Sequence, residues 1–197
     1  MQSSTAPFRP GRWPWGCGDG ALHFLAIAEG AGKARSAGDG YRGVMSGNEG
    51  GCACGQVRYR LTTDPLIVHC CHCLNCQRQT GSAFVINVLI ETERVELLAG
   101  EPKRVDAPRD EGVQPIWRCP TCQVALFSEY DRPWLRFVRA GTLDDPSAVR
   151  PDVHIFTRSR LDWVTLPEST PAFEVFYDPQ AVWAPASLAR VAAALAS

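Results

Sequence analysis

Long hydrophobic runs are missing from this 197-residue sequence: none approaches a membrane span. The best apolar stretch near the N-terminus, Ala21–Ala28, is short, and Cys17-Gly18-Asp19-Gly20 separates it from Arg9 and Arg12, which makes a poor signal peptide. Charge of one sign is missing too. With a formal net charge of -1 and a pI near 6.4, the chain has no overall bias toward a nucleic acid or an anionic membrane. These absences predict a cytoplasmic protein with neither a membrane nor a nucleic acid as partner.

Cysteine is abundant: nine residues, an odd number, in C-x-C and C-x-x-C spacings. A chain of this length, with 45% hydrophobic residues, can build a core without disulfide staples. Close-set thiols in such a chain suit shared cations in a reduced compartment. The densest group is Cys71-His72-Cys73-Leu74-Asn75-Cys76, and Cys52-Ala53-Cys54 and Cys119-Pro120-Thr121-Cys122 flank it in sequence. A C-x-x-C turn between two strands aims both thiolates at one ion while its backbone N–H groups point at the sulfurs. Two further ligands must close a tetrahedral site, and either Cys52 with Cys54 or two members of the central cluster can supply them; spacing leaves the partition open. Seven thiols minus one closed four-ligand site leaves three, the layout of a reactive metal with an open position. Alternatively, both sites only brace the sheet, with a histidine or Cys70 completing the second.

Along the chain, residues 1–46 are rich in Gly, Ala, Arg and Pro without periodicity, and read as a disordered segment or as an upstream extension of the frame, with Met45 as the initiator. Residues 47–180 read as the zinc-binding domain and 181–197 as a C-terminal helical tail. Val57, Tyr59 and Leu61 alternate with Arg58 and Arg60 as in a half-buried strand. Leu66–His69 reads as a short apolar strand and Ala83–Ile90 as one buried on both faces. Further strands are predicted at Arg94–Leu98, Gln114–Arg118, Val124–Tyr130, Leu135–Ala140 and Val153–Phe156, so the fold class is mainly β, with short antiparallel strands. Only Ala186–Ala196 reads as a helix, with Leu188, Val191, Ala192 and Leu195 on one face.

Five motifs in order, Gly51 to Tyr59, Cys71 to Ser82, Cys119 to Cys122, Gly141 to Pro146, and His154-Ile155-Phe156 with Trp163, resemble the glutathione-dependent formaldehyde-activating enzyme family, which includes centromere protein V. The resemblance implies a β-tent fold and two zinc ions. Carried over by residue, it puts Cys52, Cys54, Cys119 and Cys122 at a structural zinc, and Cys71, Cys73 and Cys76 at a catalytic one. Where family members often have Gly after the second knuckle cysteine, this chain has Gln123, at a modest strain cost.

Three thiolates leave zinc with a net charge of -1, which suits a soft fourth ligand better than hydroxide. The implied activity is that of a carbon–sulfur lyase: a thiol such as glutathione attacks an aldehyde, giving S-hydroxymethylglutathione from formaldehyde or a related thiol adduct. A non-catalytic zinc-braced β module that binds a protein partner is the alternative. Arg78, Gly81 and Ser82 are candidate substrate contacts, Arg78 for a carboxylate and the other two through backbone donors. Cys70 is read as core packing, His72 as directed away from the metal and either supporting its ligands or facing solvent, Asp144-Asp145-Pro146 as a turn, and His154 as a hydrogen-bonded structural histidine.

Overall fold

The computed structural model describes residues 48–109 and 112–196; the expectations for residues 1–46, for Met45 and for Cys17 lie outside them. Ten strands are described: β1 (Asn48–Gly51), β2 (Arg58–Leu61), β3 (Ile67–Cys71), β4 (Val85–Glu91), β5 (Val95–Ala99), β6 (Lys103–Pro108), β7 (Val113–Arg118), β8 (Ala125–Ser128), β9 (Leu135–Arg139) and β10 (Val153–Ile155). Helices α1 (Leu74–Thr80), α2 (Pro179–Val182) and α3 (Pro185–Ala196) complete the regular structure. The protein is mainly β, as its alternating and β-branched runs predict.

The strands form two sheets, one ordered β1-β2-β5 and one of seven strands ordered β10-β3-β4-β9-β8-β7-β6. All pairs are antiparallel except β10 with β3, where His154 lies opposite Cys70 and Ile155 opposite Cys71. One core lies between the sheets. There Val57, Tyr59 and Leu61 meet Val88, Ile90, Phe127 and Val138, all of them fully buried. Tyr59 packs edge-on to Phe127 at 6.4 Å between ring centroids, and its hydroxyl bonds Thr142 Oγ1 at 2.8 Å. Gly50 is required beside it, because a Cβ there would come within 2.5 Å of both the Tyr59 hydroxyl and the Thr142 carbonyl.

A second core covers the other face of the large sheet. Ile67, Leu89, Leu135, Val153 and Ile155 pack against Phe173, Tyr177, Trp183, Leu188 and Val191 from the C-terminal segment. Polar bonds fasten that segment at depth: Trp183 Nε1 donates to Tyr177 Oη at 2.7 Å, Ser187 Oγ to the Leu66 carbonyl at 2.7 Å, and Arg190 makes two bonds to the buried Glu91. Helix α3 carries Leu188 and Val191 inward as expected, but Leu195 is exposed. No helix among the described residues is long and apolar enough to cross a membrane.

Four elements differ from the sequence expectation. β1 and β6 have no apolar alternation to announce them; both are held by ladder pairing, β1 to β2 and β6 to β7. The stretch from Leu74, for which the sequence pattern announces no element, is helix α1, seven residues with Cys76 as its one buried side chain. Its caps define it. The Cys73 sulfur accepts the Cys76 N–H at 3.3 Å at the N-terminus, and Gly81 closes the C-terminus at φ 65°. Helix α2 is four residues, begun by Pro179 behind an Asp178 cap.

In the inter-sheet core Tyr59 and Trp117 lie around the Phe127 ring, with the Arg136 guanidinium 4.2 Å above it. Truncation to Phe127→Ala should lower the unfolding free energy by about 3–5 kcal/mol in a urea titration.

Candidate metal centres

Two hairpin turns meet where the two sheets adjoin. Cys52 and Cys54 lie in the β1–β2 turn, and Cys119 and Cys122 in the β7–β8 turn; the four sulfurs all lie within 4.8 Å of one another. Cys52 is 3.5 Å from Cys54, and Cys54 is 3.6 Å from Cys119. Zinc–sulfur bonds of about 2.3 Å in a tetrahedron separate sulfurs by roughly 3.8 Å, so this donor set fits a closed four-thiolate ion. The two turns share one construction. The Cys52 and Cys119 N–H groups bond the Val57 and Val124 carbonyls at 3.0 Å, and the residue after each second cysteine takes a left-handed backbone, Gly55 at φ 77° and Gln123 at φ 61°. The expected strain at Gln123 is therefore present, and two bonds hold it: Arg118 donates to its carbonyl, and its side chain donates to the Pro120 carbonyl.

Backbone donors tune these thiols. The Val57 N–H reaches Cys52 Sγ at 3.2 Å. Burial works against a Cys122 thiolate, but N–H groups of Val124 and Cys54 and the neighbouring thiols outweigh it and bring the group down to about 6. At Cys54 the Gln56 N–H favours the thiolate, yet the Cys52, Cys122 and Cys119 thiols and burial push it up to about 12. The cluster thus holds a ready thiolate at Cys122 beside a protonated thiol at Cys54.

The second group is Cys71, Cys73 and Cys76, also with sulfurs within 4.8 Å of one another. Cys71 ends β3, Cys73 caps α1, and Cys76 sits one turn into the helix, so a strand end and a helix start bring three sulfurs to one point. Cys71 and Cys76 are buried and Cys73 is half-buried, which leaves access from the Cys73 side. Hydrogen bonds from the Cys71 and Cys76 thiols hold Cys73 far down, at about 2, while the same contacts push Cys71 up. Three soft donors converging in this way fit a thiophilic ion with a free coordination position.

Strand alternation keeps other donors out of this group. Cys70 faces away from Cys71, and with His72 and His154 it forms a third set of donor atoms within 4.8 Å. His72 is wholly buried, which corrects the solvent-facing option: the parallel β10–β3 edge continues past Cys71 through the His72 N–H to the Ile155 carbonyl, and carries the ring inward against Phe84. Burial, chiefly, holds His72 at about 4 and lowers His154 as well, so both rings are neutral.

The candidate substrate contacts lie on or just after α1. Arg78 is exposed on α1 and makes no hydrogen bond or ion pair with a described residue. Gly81 is not an open donor: its N–H bonds the Gln77 carbonyl at 2.8 Å, because it caps the helix. Ser82 follows it, exposed. Asp144 receives two bonds from Arg58, and Asp145 caps the short turn that follows.

Several residues absent from the sequence reading surround the three thiols. Arg139 and Asn87 lie opposite each other on β9 and β4 and bond at 2.5 Å, and Arg139 also donates to Gln79 Oε1 at 3.1 Å. The Cys71 thiol and, less strongly, the guanidinium favour the Cys76 thiolate, although contact with the Cys73 thiolate and burial keep that thiol raised. Gln114, fully buried on β7, accepts from Asn75 and Gln79 of α1. The Tyr130 phenol stays protonated through burial first and the nearby thiols second. One signal in the sequence pointed here: Asn87 is the lone polar residue within an apolar strand, and a buried amide demands a partner.

These features define a small-sheet, large-sheet β protein with two thiol-rich clusters whose donor atoms could each hold a metal ion. Residues 47–159, more than half of the chain, match the profile of the glutathione-dependent formaldehyde-activating enzymes, and the chain belongs to that family. No curated protein matches it. Among solved structures, a Rhodobacter sphaeroides protein from a structural genomics programme is 19% identical over 52% of this chain and 91% of that one, at a TM-score of 0.40, a likeness that carries no argument about fold.

Two outcomes test the centres. Cys73→Ser should release one metal equivalent yet stay folded, because serine caps a helix well and only the ligand is lost; Cys119→Ser should release one and loosen both hairpins, seen as faster amide exchange at Cys52–Val57. Asp144→Asn removes an ion pair in which Asp144 is 55% exposed, so it should cost only about 0.5 kcal/mol at neutral pH. Arg58 lowers the Asp144 pKa, so the pair's contribution is full above the unfolded value, near pH 4, and fades as pH falls through the lower folded one. The variant's acid limb should be correspondingly flatter.

Proposed function

We propose that this chain is a zinc-dependent carbon–sulfur lyase that joins a thiol to an aldehyde, with glutathione and formaldehyde as the family-level substrates. The observation that carries the reading is the group Cys71, Cys73 and Cys76, to which no fourth cysteine or histidine of the described chain turns. In this reading Cys52, Cys54, Cys119 and Cys122 hold a structural zinc and the three-thiol group a catalytic one. An ion there would supply a soft Lewis acid with an open position suited to a thiol.

The reaction itself is simple to balance. The substrate thiol gives up its proton, its sulfur attacks the aldehyde carbon, and a C–S bond forms as the C=O π pair moves to oxygen. That oxygen takes a proton, giving the S-hydroxymethyl adduct; the reverse breaks the C–S bond. The protein's own groups suit this course. Arg139, held by Asn87 and Gln79, offsets negative charge beside Cys76. Tyr130 remains a protonated phenol at neutral pH and so can act only as a donor there. Gln114 Nε2 and Arg139 Nε are buried donors without a partner among the described residues, which favours a ligand with acceptor oxygens over an apolar one. Arg78 is free to meet a carboxylate of a tripeptide thiol.

Exchange spectroscopy between glutathione and its hydroxymethyl adduct, with and without protein, measures the activity directly. A rise in exchange rate that Cys73→Ser abolishes, and Asp144→Asn leaves intact, is the expected result. No rise at any protein concentration overturns the glutathione–formaldehyde reading, and two ions equally inert to added thiol favour a non-catalytic module.

A further inference from the structure

The third donor set lies on the opposite face of β3 from the three-thiol group. Cys70 and His154 are direct register partners across the parallel β3–β10 pair, and His72 follows Cys70 by two residues on the same side. Cys70 Sγ is 3.6 Å from His72 Nε2, and His72 Nε2 is 3.0 Å from His154 Nδ1. All three side chains are buried, at 2%, 0% and 7% exposure. A tetrahedral ion with metal–sulfur bonds of about 2.3 Å and metal–nitrogen bonds of about 2.0–2.1 Å sets S···N near 3.6 Å and N···N near 3.3 Å. The observed separations need only about 0.3 Å of widening between two nitrogens to reach that shape.

From this geometry we propose a third metal site, Cys70–His72–His154, for a borderline cation of the zinc class, independent of the two cysteine clusters. A hydrogen bond between the two imidazoles accounts for one contact, but not for a thiol aimed at the same Nε2. No hydrogen bond at His72 Nδ1 fixes the ring's tautomer, so the proton can reside there and leave Nε2 as a ligating lone pair. Two imidazoles and one thiolate form a mixed donor set of the kind zinc accepts, and a hard cation such as magnesium does not. The site's place gives it a role. It would tie β10 to the end of β3 directly behind Cys71, and so brace the backbone that presents two of the three front thiols.

Metal content and local scattering test this on the full chain purified with zinc. Three zinc equivalents per chain are expected, falling by one in Cys70→Val and in His154→Gln, with the hydroxymethyl exchange rate, if present, lowered without being lost. Two equivalents in the unsubstituted protein overturn the proposal, and so does a folded variant that keeps the full complement. Zinc X-ray absorption of the unsubstituted protein does not depend on how any variant folds. Outer-shell imidazole scattering is expected, and a sulfur-only spectrum overturns the site. The proposed catalytic function fails on a different measurement, the exchange rate.

Discussion

The structure depends on the convergence of two hairpin turns that belong to different sheets. Neither turn is long enough to carry a core of its own. Yet the β1–β2 turn brings Cys52 and Cys54, and the β7–β8 turn brings Cys119 and Cys122, to one group of sulfurs. A cation there would be a cross-link between segments separated by more than sixty residues, and such a link removes freedom chiefly from the unfolded chain. Cys52 and Cys119 also belong to the inter-sheet core, so the apolar contacts around Tyr59 and Phe127 and the thiol cluster reinforce the same juxtaposition. Gln56 extends it, accepting a bond from Thr121 across the two turns.

Strand β3 divides the chemistry. Its period-2 alternation sends Cys71 to the face that α1 covers, and Cys70 to the face where His72 and His154 lie. Two adjacent cysteines thus join different donor sets with no special local geometry. On the Cys71 face, the β3–β4–β9 ladder places His69, Asn87 and Arg139 in one row, and α1 closes over it through Asn75 and Gln79. Amides and a guanidinium thus lie on the buried side of the three thiols, while Cys73 keeps access to solvent, so charge on sulfur has an organised polar environment.

The strands with apolar alternation or β-branched runs were legible: β2, β3, β4, β5, β7, β8, β9 and β10 lie close to where the pattern places them. β1 and β6 were not, because the residues Asn48–Gly51 and Lys103–Pro108 lack apolar periodicity and become strands through their neighbours' free edges. Helix α1 was hidden for a similar reason. A seven-residue helix with one buried side chain has no hydrophobic stripe, and its capping residue is a cysteine already read as a ligand. Among the site residues, the ligands were legible as residue types. Their surroundings were not: Arg139, Gln114 and Tyr130 come from strands or turns remote in sequence, and only Asn87 stood out as a polar residue in an apolar run.

By itself, the sequence determined the fold class, the metal-binding character and the family, because periodicity, thiol spacing and motif order are local properties that one chain displays openly. Which thiols share an ion is different. The C-x-C and C-x-x-C spacings admit more than one pairing, since sulfur chemistry is the same at every position. The motif resemblance implied a partition, and the tertiary structure supplies the juxtaposition, by bringing two hairpins from separate sheets together and by turning Cys70 and Cys71 to opposite sides of one strand. His72 shows the same division most plainly. Its place between two ligands suggested a side chain near solvent or merely supporting them, while the parallel pairing of β10 with β3 buries it beside His154 and Cys70, a contact that spans more than eighty residues.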